Sequence, residues 1–192
     1  MKTSLVTAPA ELPVTSDELK AFGRIETDAE DALIAALLDA AVSHVEELCW
    51  RKFVTQTWRV YFSAFRGEVI CLPFGTLQSV SSVKYIDEDE TEHTLSTDVY
   101  AVNADTVPGS VYLKEGQSWP DAELRTVNGV VIEIVCGYGD AEDVPEAIKT
   151  AIKLMAAHLY ENREIVNFSS FDLNEIPEAF TALLANYRLT RF

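Results

Sequence analysis

Cysteine, histidine, glycine and proline are all sparse in this chain: three Cys, three His, eight Gly and seven Pro in 192 residues. Each scarcity excludes something. Cys49, Cys71 and Cys136 form no CxxC pair and are odd in number, so they read as reduced core thiols in a reducing compartment rather than as a disulfide framework. His44, His93 and His158 share no HxxxH-type spacing, whereas zinc wants three or four converging N or S ligands, so no metal is expected. The low Gly and Pro content rules out collagen-like and low-complexity chains. No apolar run approaches the ~20 residues of a membrane span. The short apolar stretch between Lys2 and Pro9 is not that of a leader peptide, so none is expected. Positive charge is scarce as well: 15 Lys plus Arg stand against 31 Asp plus Glu, for a formal net charge of −16. Duplex binding is driven by cations that release counterions from phosphates, and a chain so acidic is repelled unless its cations cluster. The one local exception is the end, where no acidic residue follows Glu178 and Arg188 and Arg191 lie close together.

What is present is a well-supplied core. The chain is 48% hydrophobic and 24% charged, of a length that fits one domain or one domain carrying a sizeable insertion. A chain of this size buries roughly 70% of the surface its unfolded form exposes and needs no staples to fold. Thr15-Ser16-Asp17-Glu18 offers cap-type residues before a short helix that Gly23 ends. Thr27 with Glu30 matches a capping box, and Ile34, Leu37, Leu38, Ala41, Val45, Leu48 and Cys49 then repeat at helical spacing. Asp31, Asp39, Glu46 and Glu47 fall largely outside that stripe.

The period then changes to two. In 55–62, Trp58, Val60 and Phe62 alternate with Thr57, Arg59 and Tyr61, as in a half-buried strand. Short strands are expected over 69–72, 79–86, 91–95, 99–102 and 110–114, and the nearly continuous apolar run 130–136, broken by Glu133, reads as a central strand. Their close spacing leaves no room for crossover helices, so the sheet is expected to be antiparallel. After Gly137-Tyr138-Gly139, Asp143 and Pro145 mark a helix start, followed by a stripe of Ile148, Ala151, Ile152, Met155 and Leu159. A loop is expected over 166–174, and Pro177 opens a last helix with Phe180, Leu183, Leu184 and Tyr187 on one face. The fold class is therefore α+β: a small helical bundle formed by both chain ends (1–52 and 143–192) with an antiparallel β unit (53–142) inserted between them.

No catalytic constellation emerges. The acidic run Asp87-Glu88-Asp89-Glu90 suggests a calcium loop, but the sixth and twelfth positions hold Glu92 and Asp98 where an EF-hand needs Gly and Glu. It reads instead as a solvated hairpin tip. No Ser lies in a GxSxG elbow, and Gly137-Tyr138-Gly139 lacks the third glycine and the βαβ setting of a dinucleotide loop. No catalytic, cofactor-binding or metal residues are assigned. What stands out is the terminal run Tyr187-Arg188-Leu189-Thr190-Arg191-Phe192, which combines the aromatics and arginines enriched at interface hot spots.

In their order and spacing these segments resemble the head–tail connector, or adaptor, proteins of tailed bacteriophages and related gene transfer particles. The resemblance runs through Leu12-Pro13-Val14, Asp17-Glu18-Leu19-Lys20, Thr55-Gln56-Thr57-Trp58, Leu72-Pro73, Leu77-Gln78-Ser79-Val80, Tyr85, Gly137-Tyr138-Gly139, Val144-Pro145-Glu146-Ala147-Ile148-Lys149 and His158-Leu159-Tyr160-Glu161-Asn162-Arg163-Glu164, to Leu183-Leu184 with Tyr187-Arg188. The chain departs from the pattern at Leu159, where an aromatic is frequent, at Asn186, where Pro often precedes Tyr-Arg, and in the hairpin, which lacks a turn glycine.

The resemblance implies a non-enzymatic structural virion protein without cofactor: a ring, usually of twelve copies, docked beneath the portal at the head–tail junction after assembly in the host cytoplasm. Its implied partners are other copies of itself, the portal protein and a stopper or tail-completion protein. DNA would pass through without specific binding, and no membrane is involved. By analogy Tyr187, Arg188, Arg191 and Phe192 contact the portal. Since packaged DNA must leave through the channel, an acidic wall that repels it over about a Debye length, ~8–10 Å, is useful. Asp87, Glu88, Asp89, Glu90 and Glu92 are therefore expected to face the channel or the outer rim. The other readings are a stopper or tail-completion ring further from the portal, and a hydrolase or small-molecule binding protein, for which the sequence offers no convergent His, Asp and Ser.

Overall fold

The structure, a computed structural model, describes residues 1–162 and 178–189. The loop expected over 166–174 lies outside these residues, as do Arg191 and Phe192. The chain forms two compact units. One combines Met1–Ala10 with Thr55–Tyr138; the other combines Glu11–Val54 with the described part of 139–192.

The first unit is all β. A five-stranded antiparallel sheet has the order β1-β2-β8-β4-β5, where β1 is Lys2–Thr7, β2 Gln56–Phe62, β4 Leu77–Ile86, β5 Glu92–Thr94 and β8 Val130–Cys136. A three-stranded sheet has the order β3-β7-β6, with β3 Val69–Cys71, β6 Tyr100–Asn103 and β7 Ser110–Leu113. The run 130–136 is indeed the central strand, flanked by β2 and β4, which explains its near-continuous apolar content. Its register stacks Val60, Ile132 and Val83 across the sheet, all fully buried. These join Ile70, Leu72, Tyr100 and Val111 in one core cluster, with the Trp58 and Phe74 rings 5.2 Å apart. Glu133, the charged exception in the run, lies opposite Arg59 in β2 and pairs with it at 2.9 Å on the other face.

β1 corrects the sequence reading, which places residues 1–52 in the helical part. Lys2, Thr3, Ser4 and Leu5 instead pair with Tyr61, Val60, Arg59 and Trp58 along the edge of the large sheet. The alternation in 2–7 is masked by threonines and serine, which suit an edge but give no apolar period.

The second unit is helical. Helix α1 (Ser16–Gly23) starts with a capping box: Thr15 Oγ1 accepts from the Glu18 amide, and Glu18 Oε2 accepts from the Thr15 amide at 2.7 Å. Helix α2 (Asp31–Cys49), α3 (Glu146–Glu161) and α4 (Glu178–Leu184) complete it, with α2 and α4 both packed on α3. Ile34, Leu38, Ala41, Val45, Ile148, Ile152, Phe180 and Leu184 are almost wholly buried. The predicted box at Thr27 and Glu30 does not form. Thr27 Oγ1 accepts from the Ala29 amide, and the Glu30 carboxylate accepts the Tyr160 hydroxyl proton of α3 instead. A second correction concerns thiols: Cys49 and Cys136 are buried, but Cys71 is exposed. None of the three is in a disulfide.

Candidate functional site

The acidic run caps the β4–β5 hairpin. Asp87 closes it, donating its amide to Thr91 O at 3.1 Å and accepting the Glu90 amide at 3.2 Å and, on Oδ1, the Thr91 amide at 2.8 Å. Asp87 Oδ2 also meets His93 Nε2 at 2.7 Å, and the His93 ring stacks on Tyr85 with centroids 4.9 Å apart. The His93 hydrogen bond, with the Thr91 amide, holds the Asp87 carboxyl below its ordinary 3.8. Glu90 takes the left-handed conformation at φ 62°, which glycine adopts most readily.

Arg125 then ties this tip to the strand-free segment beside it. Its guanidinium pairs with Glu90 at 2.8 Å and donates to the carbonyls of Val127 and Asn128, while its amide donates to Ile86 O. The Glu88 amide donates to Glu123 O at 3.0 Å, completing the attachment. Lys84 pairs with Glu92 at 2.6 Å. Glu90 and Glu92 thus each have a cation against them and Asp87 a histidine ring, and the exposed Glu88 and Asp89 form the apex. The tip is a built turn in which two of the five carboxylates, Glu90 and Glu92, are offset by Arg125 and Lys84.

The terminal segment is placed differently. Tyr187 and Arg188 follow α4 in a turn, their amides both donating to Leu184 O. Arg51 Nε donates to Tyr187 O at 2.6 Å, and the Leu189 amide donates to Cys49 O at 3.2 Å. This satisfies one of the last carbonyls of α2, which have no partner within the helix. α2 itself stops because Trp50 turns left-handed at φ 55°, sending the Trp50 and Arg51 amides back to Glu46 O. The Glu46 side chain, expected on the outer face, is buried instead: Oε1 accepts the Phe53 amide at 2.9 Å and Oε2 pairs with Lys52 at 2.6 Å. Burial pushes the Cys49 thiol up to about 11, against the opposing charges of Arg51 and Arg188. Tyr187 is therefore half-buried and held by its backbone, while Arg188 remains exposed. Sequence reasoning singled out Tyr187 and Arg188 but not Arg51 or Glu46, whose only signal is an Arg-Lys pair just beyond a helix end.

Among the described residues no group of three His, Cys, Asp or Glu side chains gathers to hold a metal ion, and no helix is long and apolar enough to cross a membrane. Asn162 caps the end of α3, its side-chain amide donating to the His158 carbonyl and meeting the His158 ring nitrogen.

No protein-family profile and no curated protein matches the chain. Solved structures do. Chains in the neck of an empty GTA particle computed with C6 symmetry, in the virion of a native gene transfer agent (GTA) particle, and in the neck of a native GTA particle computed with C12 symmetry align with TM-scores of 0.83, 0.79 and 0.76. Each alignment covers 100% of this chain and 97% of the other at 22% identity. The two-unit arrangement of helices and antiparallel sheets is thus the fold of a chain that occurs in gene transfer agent particles.

Proposed function

We propose that the protein is a structural neck component of a tailed phage-like particle, an adaptor that assembles as a ring beneath the portal, extends the DNA channel and presents a surface to the next connector or tail protein. The observation that carries this reading is the full-length likeness in fold to chains of GTA particle necks, in structures computed with sixfold and twelvefold symmetry. The anchored terminal segment supports it. The Arg51 and Cys49 O contacts hold the backbone of Tyr187 and Leu189, so the exposed Arg188 between them is presented from a defined point. Tyr187, Arg188, Arg191 and Phe192 are the proposed portal contacts. The apex of Glu88 and Asp89, with Asp87, Glu90 and Glu92 behind it, is the proposed channel or rim surface.

The test is electron microscopy of particles that carry the portal but lack this protein, with the protein added back. The expected result is an additional ring of density under the portal. Density only in the presence of another connector would assign the protein to a stopper position further down.

A further inference from the structure

Which flank of the β unit meets a neighbouring copy is open in the reading above. The distribution of charge and apolar surface within that unit points to one answer. Residues 1–10 and 55–71, which supply β1, β2 and β3, carry Lys2, Arg59 and Arg66 against a single carboxylate, Glu68. Residues 72–138, the rest of the unit, carry Lys84, Lys114 and Arg125 against eleven carboxylates, one of which, Glu133, is paired with Arg59. In a chain of net charge −16 the first end is the exception.

That same end is also where the unit is unfinished. β1 is an outer strand of the large sheet and β3 an outer strand of the small one. Between them lies a cavity of about 300 Å³ lined by Met1, Phe62, Arg66, Val69, Ile70 and Cys71 among others. Nine large apolar side chains are exposed among the described residues, and Met1, Leu5, Val6, Val69 and Tyr112 sit here, Tyr112 being the β7 partner of Val69. β1 has six residues, no proline and one charge, so its outer edge lacks the usual protections against pairing. The opposite outer strands are protected: β5 is three residues long with Glu92 and His93, and β6 is flanked by Asp98 and Asp105.

We infer that the cleft between β1 and β3 receives the acidic β5–β6 edge of a second copy of this chain. The two surfaces differ, so the contact is head-to-tail, the kind that closes into a ring when its rotation permits. Apolar contact from Val69 and Leu5 supplies the attraction, and the opposite charges select the orientation, since two acidic ends repel. The contact rests on the proposed neck role only for its biological setting; its chemistry stands on this chain alone.

Disulfide trapping tests it. Cys71 is the exposed thiol in the cleft, while Cys49 and Cys136 are buried. Asp98→Cys or Asp105→Cys adds a thiol to the acidic edge, and Asp39→Cys on α2 serves as control. The full-length chain, concentrated at low ionic strength under mild oxidation, is expected to form a ladder of covalent multimers through Cys71 with at least one edge variant and not with the control. Val69→Glu, at a side chain that is 53% exposed and so tolerant of change, should cut the ladder at least tenfold, and 1 M salt should reduce it several-fold. No Cys71 link between copies, an equal yield from Asp39→Cys, or a ladder indifferent to Val69→Glu would each overturn the inference. The two readings fail separately. A Val69→Glu protein that still forms complete rings in particles overturns this contact and leaves the neck role. A wild-type chain that ladders in solution yet never joins a neck overturns the role and leaves the contact.

Discussion

Glu46 in the helical unit and Glu90 in the β unit are both carboxylates that receive a cation at a turn, yet their settings differ. Glu46 is buried at the end of α2, accepts a backbone amide as well as Lys52, and directs the chain out of the helix. Glu90 is exposed at a hairpin apex, in a conformation its side chain disfavours, and its partner Arg125 has two further carbonyls to bond. The contrast extends to the whole units. In the helical unit buried polar groups set chain direction, whereas in the β unit charge decorates the surface of an apolar sandwich. Burial therefore decides which charges matter for stability and which for recognition.

That comparison can be broken in several places. The largest effect should come from the sandwich core: Ile132→Ala, at the crossing of Val60 and Val83, is expected to cost about 4 kcal/mol, measured by denaturant unfolding. Glu46→Ala should cost about 3 kcal/mol, because it orphans the buried Phe53 amide and removes the ion pair with Lys52. If it costs no more than an exposed pair, the distinction between the two carboxylates fails. Arg51→Ala should cost about 1–2 kcal/mol and raise hydrogen exchange at Leu189, whose amide is bonded to Cys49 O, while leaving exchange in β8 unchanged.

Glu90→Gly sharpens the comparison from the other side. It removes an exposed ion pair, worth roughly 0–1 kcal/mol, and relieves a left-handed non-glycine residue of similar cost. A net change within about 0.5 kcal/mol is expected by thermal unfolding. The smallest effect concerns pH. The Asp87 carboxyl is held low in the folded protein, so its contribution is complete above the ordinary carboxylate value and is lost as pH falls through the depressed one. In a carboxyl NMR titration His93→Ala should move the Asp87 midpoint upward, and an unmoved midpoint would deny His93 its role.

Much of this architecture was legible from periodicity. The switch from a 3.6 to a 2 period near residue 55 and back near 143 falls close to the boundaries between the units, and the run 130–136, nearly continuous in β-branched and apolar residues, identified the central strand. Residues 2–7 were not legible, since Lys2-Thr3-Ser4 carries no apolar signal and the pairing with β2 spans more than fifty residues of sequence. Thr27-Asp28-Ala29-Glu30 has the letters of a capping box, but a tertiary partner, Tyr160, takes the Glu30 side chain. At the candidate site, the positions of the acidic turn and the terminal segment were readable from composition. The partners Arg125 and Arg51 come from distant or unpatterned sequence and were not, while His93 lies in the hairpin itself but gives no signal that it bonds Asp87.

A truncation that probes the terminal segment has to spare α4. Cutting from residue 181 would remove Leu184, which is fully buried, and so would confuse lost docking with a damaged core. The direct measurement is portal binding by a variant that keeps α4 and its anchor, with 190–192 removed and Arg188→Glu added, imaged by electron microscopy beside the wild type. The account predicts a ring of added density beneath the portal for the wild type and none for a variant that unfolds at the same temperature. Equal density for both would contradict the assignment of the terminal segment, and no ring for the wild type would contradict the neck role itself.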